Sequence, residues 1–254
     1  MSHSNLENIL AQYEPISLEE MDRVRLMNRT DTKFAFHFNK LSFFLSEIKS
    51  DYQILTINGT NTPHYESLYF DDPQFRFFRD HHNGKGNRFK VRIRKYVESN
   101  LYFLEIKHKF KGRTDKKRIE TINFQNKFDS KQKEFILKHL KKDVDLLPTM
   151  WNSFQRITLV HKKINERLTL DFNIKFHFEN TEKKFPHLII SELKQEELNR
   201  NSPFFVLMKA QCIRPYRLSK YCLGSVELYG EEKLKFNRFK KKLLFLNKIE
   251  KNEH

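Results

Sequence analysis

Arg88-Phe89-Lys90-Val91-Arg92-Ile93-Arg94 alternates without a break, Arg and Lys on every even position and an apolar side chain on every odd one. A period of two is the signature of a strand, so Arg88, Lys90, Arg92 and Arg94 share one face while Phe89, Val91 and Ile93 share the other. Downstream, Tyr102-Phe103-Leu104-Glu105-Ile106-Lys107 sets Glu105 and Lys107 opposite Tyr102, Leu104 and Ile106, and the short link Val97 to Asn100 makes the two segments an antiparallel hairpin. A strand face made of cations cannot pack as a dry core; it needs water, counter-charge or a ligand beside it.

The same alternation recurs along the chain. Phe34, Phe36 and Phe38 oppose Asp31, Lys33 and His37. Further strands are read at Tyr65 to Phe70, Thr114 to Ile122, Phe154 to Val160, Leu168 to Asn173 and His187 to Lys194. In the last of these Glu192 and Lys194 share a face with Leu188 and Ile190, which makes that face mixed. Helices are expected where caps meet apolar periodicity. Ser17-Leu18-Glu19-Glu20 fits a capping box for a helix to about Met27 that uses Leu18, Val24 and Met27. Residues 40 to 48 suggest a helix through Leu41, Phe44 and Ile48, and Asp129 with Gln132 caps one through about Lys141. A helical tail is expected over Phe204 to Met208 and Gly230 to Leu246. No linker or internal repeat divides the 254 residues, which read as a single domain.

Composition narrows the partner. Lys and Arg number 48 against 32 Asp and Glu, a formal charge of +16, so the long-range field favours polyanions. From Lys85 to Arg118 there are thirteen cations and three acids, +10 in one segment. Cys212 and Cys222 have no partner pair, which excludes a disulfide scaffold or a cysteine zinc site and suggests free thiols in a reducing compartment. His81-His82 is read as lying in a loop without zinc spacing, and neither GxxxxGK[ST] nor GxSxG occurs. The opening residues are polar and no run approaches a bilayer span, so a cytoplasmic protein is expected, with docking onto a membrane-protein partner left open.

The basic set on the charged faces is Lys33, Arg88, Lys90, Arg92, Arg94, Lys107, Arg156, Arg167, Lys194 and Lys220. Arg presents forked donors to phosphoryl oxygens and Lys a mobile point charge. A linear phosphate chain offers repeated charge and no base to read, and suits such a row. The acids on these faces are Glu105, Asp171 and Glu192, each either an ion-pair partner or a hard oxygen ligand for Mg²⁺ or Mn²⁺. Closing the strands would line a barrel with the charged set; an open sheet with a solvated basic face is the alternative.

From about Asp22 to Tyr229 the chain resembles the VTC catalytic domain, a branch of the triphosphate tunnel metalloenzyme superfamily that makes inorganic polyphosphate. The landmarks are Arg29 to Phe36, Leu68-Tyr69-Phe70-Asp71, Lys90 to Arg94, Leu104-Glu105-Ile106-Lys107 and Lys116-Lys117-Arg118. They continue with Phe154-Gln155-Arg156, Arg167-Leu168-Thr169-Leu170-Asp171, Phe185-Pro186 through Glu192-Leu193-Lys194, and Arg217-Leu218-Ser219-Lys220-Tyr221 with Gly224. The resemblance implies an α+β fold, an antiparallel β-barrel tunnel of about eight strands with flanking helices. It implies catalytic roles for Arg92, Arg94, Lys107, Arg156, Arg167 and Lys220, and phosphate binding by Lys33, Arg88, Lys90, Lys116, Arg118, Lys194, Arg217 and Ser219. Glu192 matches the family's metal-binding glutamate, with Glu105 and Asp171 as further candidates for Mn²⁺ or Mg²⁺. The implied reaction moves the terminal phosphoryl group of ATP onto a growing polyphosphate chain, with no specific nucleic acid as partner. Hydrolysis of inorganic or organic triphosphates, and a non-enzymatic RNA or polyanion-binding module, are the competing readings. Where the superfamily's entry strand alternates glutamates, this chain carries Arg29, Asp31 and Lys33, a departure that weakens a simple triphosphatase or cyclase more than a polymerase.

Overall fold

The computed structural model describes residues 3–23 and 29–252. Helices α1 (His3–Leu10) and α2 (Leu18–Arg23) flank a short strand β1 (Pro15–Ile16); then come β2 (Thr30–His37), α3 (Leu41–Ile48), β3 (Tyr52–Leu55), β4 (His64–Asp71) and α4 (Arg76–His82). The middle of the chain forms β5 (Arg88–Tyr96), β6 (Leu101–Phe110), β7 (Arg113–Thr121), α5 (Ser130–Leu140) and β8 (Leu147–His161). It ends with β9 (Glu166–Phe178), β10 (Thr181–Phe185), β11 (Leu188–Gln195), α6 (Pro203–Ala210), α7 (Lys220–Lys233) and α8 (Asn237–Glu250).

The eight main strands hydrogen-bond in the order β2-β11-β9-β8-β4-β5-β6-β7, with β1, β3 and β10 attached off this path. Every neighbouring pair on the path is antiparallel. This corrects the expected barrel tunnel, because the end strands β2 and β7 do not pair and the sheet stays open. A non-strand segment takes part of the β2 edge. The Tyr216 N–H donates to the Lys33 carbonyl at 2.7 Å, which lays the chain just before α7 against the end strand that a closed barrel would pair with β7. The sheet nevertheless curls, since Lys107 on β6 feels Glu192 on β11, and Lys109 feels Lys33 and Asp31 on β2.

The apolar halves of the strands pack outward in two groups. Phe34 and Phe36 join Leu41, Phe44, Leu168, Leu170, Phe204 and Met208 under α1, α3 and α6. Leu68, Val91, Ile93, Leu104 and Ile106 belong to a second cluster with Ile136 and Leu140 of α5. Burial of each such side chain contributes roughly 1.5–3 kcal/mol, which is why the alternation settles which face turns inward. Helix α7 lies against Met150 and Phe176 through Gly224. A Cβ there would fall 2.2 Å from the Met150 Sδ and 2.4 Å from a Phe176 ring carbon, so only glycine lets the helix approach.

Both anticipated caps form. Ser17 and Glu20 exchange hydrogen bonds at 2.9 and 3.2 Å, and Asp129 with Gln132 makes a capping box. Val24 and Met27, expected to extend the first of these helices, lie outside the described residues. His81 and His82 belong to the last turn of α4 rather than to a loop: Asp71 accepts from the N–H groups of Phe77 and Phe78 and anchors that helix start. The expected tail is three helices, α6, α7 and α8; residues 234–236 separate the last two, and Gly230, at φ 60°, breaks the helical path within α7. Helix α1 and strands β1, β3 and β10 were not legible as periodic segments; the three strands have two, four and five residues, too few for alternation to register.

Candidate functional site

The site is a set of cross-strand rows on the inner face. Tyr69, Arg92, Glu105 and Arg118 stand in register across β4, β5, β6 and β7, and Lys90, Lys107 and Lys116 form the next row. On the other arm, Arg156 pairs with Asp171 across β8 and β9, and Thr169, Glu192 and Lys33 line up across β9, β11 and β2. Three lysines directly opposite one another repel. Such a row persists only where counter-charge is close, and it is the arrangement that best fits a repeating anion.

Glu105, Asp171 and Glu192 are each shared by two cations. Glu105, with no exposed surface, takes the Arg92 Nε and Nη2 at 2.9 and 2.6 Å and the Lys116 Nζ at 2.6 Å. Asp171, 3% exposed, takes Arg156 at 2.5 and 2.8 Å and also Lys220. Glu192 bonds Lys33, and Lys194 at 2.7 Å. Burial alone would raise these acids, but Arg92 beside Glu105, Arg156 beside Asp171 and Lys194 beside Glu192 hold all three below the usual carboxylate range.

The cations still exceed the acids. Arg94 is 7% exposed and its Nε donates to the Ser67 Oγ at 3.1 Å; burial and then Arg92 push its proton affinity down. The Lys107 ammonium is held well below its ordinary range, first by Arg92 and then by burial. Lys90, lowered by burial, donates to the Ser219 Oγ at 2.9 Å. Ser219 caps α7 by accepting from the Cys222 N–H, which puts the start of that helix, with Lys220, into the site.

Arg92, Arg94, Lys107, Arg156 and Lys220, with Lys33, Lys90, Lys116, Lys194 and Ser219, therefore come together as one charged surface. The remaining candidates sit at its margins. Arg88 donates to the Lys85 carbonyl and lies near Lys109, as does the exposed Arg217. Arg118 is exposed, with its guanidinium 4.5 Å from the Phe103 ring centre, and Arg167 reaches the Met21 carbonyl at 3.4 Å. The reading from sequence passed over Tyr65, Ser67, Tyr69 and Phe154 as site residues. Tyr69 accepts from the Arg92 Nη1 at 2.9 Å, and Phe154 carries Lys220 at 4.5 Å from its ring centre. Their shared parity with Arg156 and the landmark Tyr69 was the available signal.

The carboxylates expected to bind Mn²⁺ or Mg²⁺ do not assemble a centre by themselves. Glu105, Asp171 and Glu192 stand on different strands, each already neutralised by a cation pair. Among the described residues no group of three His, Cys, Asp or Glu side chains could hold a metal ion. The described residues also contain no helix long and apolar enough to cross a membrane.

Comparison with solved structures finds likeness at low identity. A Hippeastrum protein, for which a dominant triphosphatase activity is described, is 12% identical over 81% of this chain and 100% of its own, with a TM-score of 0.48. A conserved hypothetical protein from Pyrococcus furiosus is 13% identical over 77% and 99%, TM-score 0.41, and the PH1819 protein of Pyrococcus horikoshii 13% over 76% and 97%, TM-score 0.42. No curated protein matches. The family model described as the VTC domain matches residues 28–229, a span that takes in every row of the charged face from Lys33 to Lys220, and the chain belongs to the VTC domain family.

Proposed function

We propose that this chain is a polyphosphate polymerase that moves the γ-phosphoryl group of ATP onto the end of a polyphosphate chain. The observation that carries the reading is the in-register row Lys90, Lys107 and Lys116, flanked by Arg92 and Arg94, with positive charge left over after Glu105, Asp171 and Glu192 are matched. A terminal phosphate oxygen of the acceptor attacks the γ-phosphorus, the bond to the β–γ bridging oxygen breaks, and ADP leaves with that electron pair. The attacking oxygen is already anionic, so no protein base is required; alignment and charge neutralisation carry the rate. Arg94, Arg156 and Lys220 suit the equatorial oxygens through forked or point donors. Lys90 and Ser219, at the start of α7, suit the chain beyond the reacting group.

Incubating the purified protein with ATP, with and without Mn²⁺ or Mg²⁺, and measuring ADP and long-chain phosphate tests this. ADP appearing in step with polymer is the expected result. Phosphate release without polymer growth would replace the reading with hydrolysis. RNA binding that polyphosphate fails to compete away would replace it with a polyanion-binding module.

A further inference from the structure

Three cations of the site stand on one pair of aromatic rings. Tyr65 of β4 and Phe154 of β8 are register partners, and their rings stack with centres 5.3 Å apart and planes 5° from parallel. Both are buried, at 6% and 2% exposure. The Arg94 guanidinium carbon lies 5.4 and 5.6 Å from the two ring centres, that of Arg156 lies 5.0 and 5.1 Å from them, and the Lys220 Nζ lies 4.5 Å from Phe154.

We infer that the stacked Tyr65–Phe154 pair is the positioning element that holds Arg94, Arg156 and Lys220 in place for successive phosphoryl groups of a polyphosphate chain. The inference rests on the polyphosphate reading above and adds to it residues that touch no reacting atom. Asp171 engages Arg156 and Lys220, while Arg94 donates only from its Nε, to Ser67, among the bonds the site displays. Three positive groups so close repel one another, and Arg92 adds to the pressure on Arg94. A second carboxylate would relieve that repulsion but would also occupy the N–H donors. A ring face attracts a cation through its quadrupole and takes no hydrogen bond from it. The donors stay available for phosphate oxygens, and the cations stay where the rings hold them.

The test uses the full chain and inorganic tripolyphosphate as probe, with affinity read by titration calorimetry and folding by thermal unfolding. Phe154→Leu and Tyr65→Leu keep apolar bulk and remove the π face, whereas Tyr65→Phe keeps the ring. Each Leu variant is expected to bind tripolyphosphate about tenfold more weakly, with Tyr65→Phe restoring most of the loss. In turnover KM for the phosphate chain should rise by more than kcat falls. A merely structural role would instead make Tyr65→Phe and Tyr65→Leu differ in melting temperature but not in affinity. Folded Leu variants that bind tripolyphosphate as the wild type does would overturn the positioning role and leave the polymerase reading intact. A wild-type chain that fails to bind tripolyphosphate overturns both. If either Leu variant fails to fold, Phe154→Met reads the same contact with a side chain that fills the space more flexibly.

Discussion

Replacing Glu105 by Gln keeps the shape of the side chain and deletes the only carboxylate that Arg92 contacts among the described residues. Glu105 has no exposed surface and holds Arg92 and Lys116, with Arg94 and Lys107 close enough to shift its proton affinity. The substitution therefore leaves several cations facing one another inside the sheet. Removing one partner of a buried ion pair costs about 3–5 kcal/mol, because the remaining charge is uncompensated. For a domain of this size each kcal/mol is worth roughly 2–4 °C, so the melting temperature should fall by about 6–20 °C. Tripolyphosphate should return much of that loss. It supplies the missing negative charge, and a ligand at a hundred times its dissociation constant stabilises by about 2.7 kcal/mol. Thermal unfolding of wild type and Glu105→Gln, each with and without tripolyphosphate, measures both effects. The ligand-induced shift should be larger in the variant. A variant melting within 2 °C of wild type, or gaining less from tripolyphosphate, would refute the view that the inner face is an excess of cations waiting for an anion; the 2 °C limit follows from ~1 kcal/mol at this domain size.

Two further outcomes follow from single residues. The Lys107 ammonium is held well below its ordinary range by Arg92 and burial, and a bound anion raises it again. Tripolyphosphate binding should then take up protons, and affinity should be full below the free-state pKa and fall as pH rises toward the bound-state one. Calorimetry in buffers of different ionisation enthalpy reads the uptake; an uptake unchanged in Lys107→Met would show that another group is responsible. Gly224→Ala places a methyl group where Met150 and Phe176 already stand. It should cost about 1–3 kcal/mol by overpacking and weaken tripolyphosphate binding by moving Ser219 and Lys220, and an unaltered melting temperature would show that α7 is not seated on that contact.

Alternation alone was enough to say which side chains of the longer strands face together. Arg88 to Arg94, Glu105 with Lys107, and Lys33 opposite Phe34 and Phe36 all lie as the period of two requires, because a one-residue slip would exchange every apolar side chain for a charged one. The caps at Ser17 and Asp129 were legible for a similar reason, since a helix start needs local acceptors for its unpaired N–H groups. The β5–β6 hairpin was legible from its short link, and other pairings were not. That Lys220 meets Asp171, or that Tyr65 stacks on Phe154, depends on contacts between residues far apart in the chain, and nothing local encodes them. The open edge was hidden in the same way. Strand pattern permits closure, and only the tertiary structure shows the segment before α7 bonding to Lys33 of the end strand. Local order follows from each residue's own geometry and hydrophobicity, whereas the spacing of charges across the curled sheet is set by which strands pack side by side.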